Sequence, residues 1–400
     1  MPLPQGLYSS EFYRLATGAV AMKGYSSLEA WIREAPNYWY DEEKWKEVYS
    51  LASNENPAGT FEQKIGNAVV PIMATYLADD AETPVVANKG FEKMIGDIPR
   101  MGQGHFFSTK SYEDALKFER EVGPLSDRVY NSLMVDFDTI IKAVHSQRTF
   151  TGFQIESLGY YTSSKLNNNG GITNLKIDMH PLAENRKKCG GFGFGSHNLG
   201  VKKAWSDEGA SPLGDLEDMY YYAWNKRILS ATPSQNVFRM SRSAYEVFVN
   251  HKDTKTRIAM YKNGYMMDEA NVKYYTVGQD DLNAYLDARK LPHVEIVEYY
   301  GFVQALDKDN MAIEDVPVSA FDENTVVLRP AGKFGELQWK RITNIFSTAM
   351  TPIYYTEGGA IAIMQDLDKK GEKFSAESIC VPVPYAIQRT LYLSVNEAAS

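Results

Sequence analysis

Between residues 124 and 147, apolar side chains return at every third or fourth position: Leu125, Val129, Leu133, Phe137, Ile140, Ile141 and Val144. That spacing is the period of a single buried helix face. Pro124 stands where proline is tolerated, in a first turn whose N–H groups have no intrahelical partner. The pattern predicts a helix of roughly 36 Å at about 1.5 Å per residue, long enough to act as the spine of a flat domain. Just before it, EDALKFERE (residues 113–121) reads as a shorter helix stopped by Gly123.

The rest of the chain mixes helices and strands without strict alternation, which predicts an α+β fold. Residues 1–55 are aromatic-rich and weakly periodic, with two helical patches broken at Pro36 in LEAWIREAPNYWYDEEKWKEVYSL. Their dispersed hydrophobes suggest an arm that buries itself on something else. Residues 56–110 are rich in Gly and Pro, with β-like runs at Val85-Val86 and Met94-Ile95, and end on IPRMGQGHFF. They read as a long extended loop or hairpin, and loops of such length tend to be functional. Residues 148–159 continue an apolar pattern to Gly159. The run NNNGG then marks a turn before a strand through Ile172, Leu175 and Ile177.

Further on, Ser211 is placed to cap a helix with Pro212 at its first position. Leu213, Leu216, Met219, Tyr220, Ala223, Trp224 and Ile228 would share its face, and Thr232-Pro233 would close it. Later expectations are a strand at NVFRMS, a capped helix over 242–250 and a helix over 281–289. A strand HVEIVEYYGFVQAL turning at DKDN, a strand NTVVLRP and a C-terminal strand rejoining an earlier sheet complete them.

Composition removes several classes. With 44% hydrophobic and 12% aromatic residues, 400 residues suffice for one large or two ordinary domains, and low-hydrophobicity disorder is excluded. A net charge of −9 opposes a neutralising nucleic-acid coat, which needs clustered Lys and Arg. Cys189 and Cys380 lie far apart without CxxC or histidine partners, so neither a disulfide framework nor structural zinc is expected. The first 25 residues lack the layout of a signal peptide, and no apolar run approaches the roughly 18 residues of a spanning helix. A soluble protein, folded or assembled inside a cell, is the expectation.

Candidate chemistry concentrates around KAWSDEGASPLGDLEDMYYYAW (residues 203–224). Aromatics beside acids resemble a sugar cleft, and Asp207, Glu208, Asp215, Glu217 and Asp218 offer carboxylates for a glycosidase pair. Yet Asp215 and Asp218 fall in the first turns of a helix, where carboxylates favour the dipole without any catalytic role. At about 100° per residue, Tyr220, Tyr221 and Tyr222 must spread around the helix and cannot form one platform. The run GGFGFGSHNLG (residues 190–200) lacks the third glycine of GxGxxG and any GK[ST], so it reads as a flexible connection rather than a phosphate loop. The six histidines form no HExxH or HxH pair. No catalytic residue, metal ligand or cofactor is expected.

In order along residues 110–385, several segments resemble the major capsid proteins of tailed phages. The closer likeness is to the branch typified by lambda capsid protein E, with the Hong Kong 97-type (Johnson) fold. FERE, containing Arg120 and Glu121, stands at the start of the long helix. WSDEGASPLGDLED, with Trp205, Asp207, Pro212 and Asp215, is similar to that family's opening of a helix. ATPSQNVFRMSRSAYEVFVNH is similar to its Pro–strand–Ser–helix unit. LPHVEIVEYYGFV and NTVVLRPAGKFGELQW, with Gly332 and Gly335, resemble its paired strands, and VPVP its closing strand.

The resemblance implies an N-terminal arm (1–55), an extended loop (56–110), a peripheral domain with the spine helix (111–204), an axial domain (205–344) and a return to the peripheral domain (345–400). It implies a non-catalytic subunit whose copies form hexamers and pentamers of an icosahedral shell. Such a virion capsid is assembled in the host cytoplasm and encloses double-stranded DNA without sequence-specific binding or a membrane. Portal, scaffold and cement proteins would be its further partners. The eight residues Arg120, Glu121, Trp205, Asp207, Pro212, Asp215, Gly332 and Gly335 are the candidate structural and assembly positions. An encapsulin-type compartment shell and a carbohydrate-active enzyme using the acids near Trp205 remain the alternatives.

Overall fold

The computed structural model describes residues 21, 24, 44–65, 92–108, 125–163, 175–264, 269–306, 313–342, 350–355, 358, 361–366, 371–385 and 387–399. In chain order these begin with α1 (Trp45–Val48), β1 (Tyr49–Leu51), β2 (Thr60–Ile65), β3 (Glu92–Asp97) and β4 (Arg100–Ser108). The long helix α2 (Leu125–Leu158) follows, then β5 (Tyr160–Thr162), β6 (Lys176–Asp178) and β7 (Arg186–Cys189). Next come α3 (Pro212–Asn225), β8 (Asn236–Ser241), α4 (Arg242–Asn250), α5 (Lys252–Asn263), α6 (Glu269–Val272) and α7 (Gln279–Ala288). The remaining strands are β9 (His293–Val297), β10 (Tyr300–Leu306), β11 (Ile313–Ser319), β12 (Thr325–Pro330), β13 (Gly335–Lys340), β14 (Met350–Tyr355), β15 (Ile361–Asp366), β16 (Gly371–Pro384) and β17 (Leu391–Ala398). The class is α+β, as expected.

α2 runs eleven residues past Gln147, so residues 148–158 are its last turns and not a separate apolar segment. The reason is burial: every residue from 148 to 157 is buried, which erases the one-sided period that marks an amphipathic helix. Gly159, at φ +71°, ends it by donating its N–H to the Ile155 carbonyl at 2.8 Å. The expected helix at 113–121, the turn at 167–171, the DKDN turn and the runs at Pro36 and Val85-Val86 lie outside the described residues, as do Arg120 and Glu121.

The chain divides into two compact units, one of residues 1–61, 96–152 and 336–383, the other of residues 62–95, 153–335 and 384–400. The first contains a six-stranded sheet ordered β1-β13-β16-β15-β14, with β4 also on β16. β16 pairs antiparallel with both β15 and β4, the latter from Arg100↔Ile379 to Ser108↔Gly371. Trp45, Val48 and Tyr49 are buried inside this unit. The Trp45 N–H reaches Thr149 Oγ1 at 3.2 Å, and the Tyr49 hydroxyl reaches the Gly152 carbonyl at 3.1 Å. A Cβ on Gly152 would stand 3.0 Å from the Tyr49 ring, so the helix offers a bare patch for that ring to cover. Arg148 is buried beside them and donates to the Gly358 carbonyl and to Ser378 Oγ.

The second unit is organised by a five-stranded sheet ordered β7-β17-β12-β8-β9, parallel at β7-β17 and β8-β9 and antiparallel between. All six residues of β8 are buried, because both faces of the central strands are covered. Strand alternation separates two different interiors. Phe238, Met240, Val326, Leu328, Leu391 and Leu393 point into an apolar core with Trp205, Leu213, Leu216, Met219, Phe248, Ile258, Leu282 and Leu286. Arg239, Val327, Arg329 and Tyr392 alternate with them on the opposite face, where Glu156 of α2 lies 2.6 Å from Arg329 Nε and 2.8 Å from Arg239 Nε.

Two elements differ from expectation here. α3 ends at Asn225, well before Thr232-Pro233, because Arg227 adopts a left-handed φ of +54°. The predicted single strand HVEIVEYYGFVQAL is two strands: β9 stays in the five-stranded sheet, and β10 forms a separate antiparallel ribbon with β11, from Tyr300↔Ser319 to Leu306↔Ile313.

Candidate functional site

The residues around Trp205 form a buried polar clamp, and α3 is its frame. Pro212 occupies the first helical position as expected. Ser211 precedes it, but its hydroxyl makes no cap; it bonds to Asp253 and accepts from Arg257 of α5 instead. The first turn therefore points its acids inward, towards the glycine-rich segment that leaves β7.

Asp215 Oδ1 accepts the Gly190 N–H at 2.7 Å, and its Oδ2 accepts the Trp205 indole N–H at 2.8 Å. One turn on, Asp218 Oδ1 meets His197 Nδ1 at 2.6 Å and the Leu199 N–H at 3.0 Å, while Oδ2 accepts the Gly200 N–H at 2.7 Å. Glu217 points away from this loop and takes a two-pronged contact from Arg289 at 3.1 and 3.0 Å. All three carboxylates are at most 2% exposed. Asp215 and Asp218 serve as hydrogen-bond acceptors for a folded-over loop, a role beyond the favourable helix-dipole placement expected of them. The loop is likewise fixed rather than a free connection. Gly200 is obligatory in it, since a Cβ there would lie 2.3 Å from Asp215 Oδ1 and 3.1 Å from Asp218 Oδ2.

Burial pushes the Asp215 carboxyl up to about 7, against the lowering effect of the bonds from Trp205 and Gly190. Burial, then the Asp215 charge, pushes the neighbouring Cys189 thiol up to about 12. An acid titrating near neutrality is a candidate for proton transfer. Its geometry argues otherwise: each oxygen of Asp215 and Asp218 is already engaged by the protein, and neither reaches a surface where a glycosidic oxygen could sit.

Asp207 stands apart from the clamp. Its side chain is exposed, and its backbone carbonyl accepts from the Ala210 N–H and from His251 Nε2. His251 Nδ1 in turn accepts the Asp253 N–H and caps α5, so the ring holds its proton on Nε2. Gly332, at φ +86°, is exposed and gives its carbonyl to Arg329 Nη1, whereas Gly335 is buried at the start of β13. Thus Trp205 and Asp215 meet at the clamp, Pro212 begins the helix that carries it, and Asp207, Gly332 and Gly335 lie elsewhere.

Sequence reading missed the Glu156–Arg239–Arg329 cluster, whose members lie on α2, β8 and β12 and carry no common motif. It also missed His197, which pairs with Asp218 through the same folded loop. Tyr220 is buried with its hydroxyl on the Ala231 carbonyl, while Tyr221 and Tyr222 are half-buried, in keeping with three rings spread around one helix. Among the described residues, no group of His, Cys, Asp and Glu is placed to hold a metal ion, and no helix is long and apolar enough to cross a membrane.

No family model matches the chain, and no curated protein matches it. Solved structures to which it is similar include phage capsid proteins. The mature capsid of bacteriophage PhiM1 is 6% identical over 88% of this chain and 86% of that one, with a TM-score of 0.42. The capsid of Myoviridae phage XM1 is 9% identical over 87% and 90%, with a TM-score of 0.40. A virus-like particle from Pyrococcus furiosus is 9% identical over 96% and 100%, with a TM-score of 0.35. At such scores the functional reading rests on the chain's own residues.

Proposed function

We propose that the chain is a structural, non-catalytic subunit of a virion shell: a major capsid protein of a tailed phage, with the Hong Kong 97-type fold. Its copies form hexamers and pentamers of an icosahedral capsid around double-stranded DNA, assembled in the host cytoplasm. In this reading residues 1–55 are the arm, 56–110 the extended loop, 111–204 and 345–400 the peripheral domain, and 205–344 the axial domain. Arg120, Glu121, Trp205, Asp207, Pro212, Asp215, Gly332 and Gly335 serve structure and assembly.

The observation that carries the reading is the fate of WSDEGASPLGDLED. It is both the segment most like the capsid family and the segment most like a sugar cleft. The carboxylates of its helical half, Asp215, Glu217 and Asp218, are spent on internal hydrogen bonds, so that half builds architecture, while Asp207 and Glu208 lie exposed at the surface apart from it. The 34-residue α2, about 51 Å long, supplies the extended scaffold that a thin shell wall requires. An acidic wall also suits packaged DNA, because it does not adhere to the duplex.

Negative-stain microscopy of the purified full chain at high concentration tests it. Rings, tubes or closed shells are expected. A persistent monomer stabilised by an oligosaccharide would overturn the proposal in favour of the enzyme.

A further inference from the structure

Resting on the capsid reading, we infer that two opposite edges of the five-stranded sheet are the mating surfaces of neighbouring copies, an aromatic and basic patch at the β7 edge against an acidic and apolar patch at the β9 edge. Both belong to the same compact unit, and each is built from contacts that the structure fixes.

The first patch grows on the clamped loop. Phe194 and His197 close its tip through two backbone hydrogen bonds of 2.7 and 3.0 Å. The Phe194 ring stands edge-on to Tyr222 at 6.3 Å, and the His197 ring lies 4.1 Å from Tyr221, which lies 6.2 Å from Trp224. Lys226 Nζ sits 6.0 Å from both the Phe194 and Tyr222 rings. Phe194 and Trp224 are exposed, and so are Lys226 and Arg227. Burial, and then the charge of nearby Glu184, raises the Tyr222 hydroxyl pKa. The acids of α3 are all turned inward, which leaves its outer end aromatic and positive. Aromatic anchors with a charged rim are the composition of an interface centre.

The second patch follows β9. Arg242 Nε holds Glu246 at 3.0 Å and Arg242 Nη1 holds Glu298 at 3.4 Å; both carboxylates are more than half exposed. Val247 of α4 and Tyr300 and Phe302 of β10, which follows β9, are exposed, Phe302 by 71%. Two acids against one arginine give this edge a negative balance within a chain of net charge −9.

The strand order sets the edge strands β7 and β9 four steps apart, roughly 19 Å at about 4.8 Å per step. Two different, complementary surfaces at opposite ends of one rigid sheet make a heterologous contact. Such a contact propagates head to tail and closes into a ring when the rotation permits. A self-complementary dimer would instead need one patch to match itself, and like charge forbids that for either patch.

The test uses two full-length charge reversals, K226E/R227E on the first patch and E246K/E298K on the second, with circular dichroism and thermal melts to verify folding. Each variant alone should fail to assemble, because its two patches now carry the same sign. A 1:1 mixture should regain assembly as even-membered rings, sheets or tubes in which the two variants alternate, since each variant's altered patch meets its complement on the other. Assembly of each variant alone at the parent's level would overturn the inference and leave the capsid reading standing. Failure of the parent itself to assemble would overturn both. Binding of an oligothymidylate by the unassembled chain, lost in K226E/R227E, would assign the aromatic patch to nucleic acid and overturn the inference.

Discussion

Glu156 and Arg329 meet at 2.6 Å with neither side chain more than 2% exposed, and Arg239 lies 2.8 Å from the same carboxylate oxygen. One negative charge thus faces two positive ones in the interior. Arg329 spreads its charge further by donating to the Pro330 and Gly332 carbonyls at 2.8 and 2.9 Å, and Arg239 reaches outward to Glu295 at 2.7 Å. This cluster locks the last turns of α2 to the polar face of the sheet. Removing the carboxylate leaves two buried cations without their common partner, a change that costs about 3–5 kcal/mol for a buried pair. Glu156→Gln should therefore lower the unfolding free energy of the second unit, read from its urea transition, by an amount of that size. A midpoint within error of the parent would show that the arginines find other partners.

Asp215 sets a pH dependence of definite sign. Its carboxyl is raised from the ordinary 3.8 to about 7 by burial, so the folded state holds the proton more tightly than the unfolded state. The stability this contributes is complete below about 4 and is lost as pH rises towards 7. Asp215→Asn removes the titration and keeps an acceptor for Gly190 or Trp205. Urea midpoints measured from pH 4.5 to 8 should show a flatter profile in the variant. Parallel profiles would mean that Asp215 titrates as an ordinary surface acid.

Gly200 tests the clamp without touching a charge. A methyl group there collides with Asp215 Oδ1 at 2.3 Å, and the loop or the helix must give way. Gly200→Ala should cost about 1–3 kcal/mol, the usual range for forced overpacking. It should also release the amides of Leu199 and Gly200 to faster hydrogen exchange. Gly332→Ala is the comparison: the site has open space around it but a φ of +86°, so its cost is conformational and should leave the clamp amides protected.

Local signals in the sequence were legible where one residue type decides the outcome. Pro212 began α3, Ser241 capped α4 through the Ala244 N–H at 3.1 Å, and NVFRMS gave β8 without error in its bounds. The end of α2 was hidden because its residues are buried all round, and the split between β9 and β10 because Glu298 and Tyr299 carry no turn signature. The acids near Trp205 were seen, but their purpose was not. A carboxylate at a helix start looks the same in sequence whether it faces solvent or receives the amides of a loop 18 residues away. The Glu156 cluster left no trace, since its partners are separated by 83 and 173 residues.

His145 gives the first unit the opposite pH response. It is buried in α2, and burial, with the charges of Arg148 and Lys46, holds its pKa well below the usual 6.5. The folded state therefore excludes a proton that the unfolded state accepts, and stability is lost as pH falls below about 6.5. The Asp215 contribution runs the other way across the same interval. Hydrogen exchange followed by mass spectrometry between pH 4.5 and 7.5, corrected for the intrinsic exchange rate, separates the two. Peptides around Thr149 and Ser378 should lose protection in acid, and peptides around Gly190 and Gly200 should lose it towards neutrality. His145→Gln should abolish the first trend and leave the second. Loss of protection in acid at both places would mean that one global transition, and not these two groups, controls the acid limb.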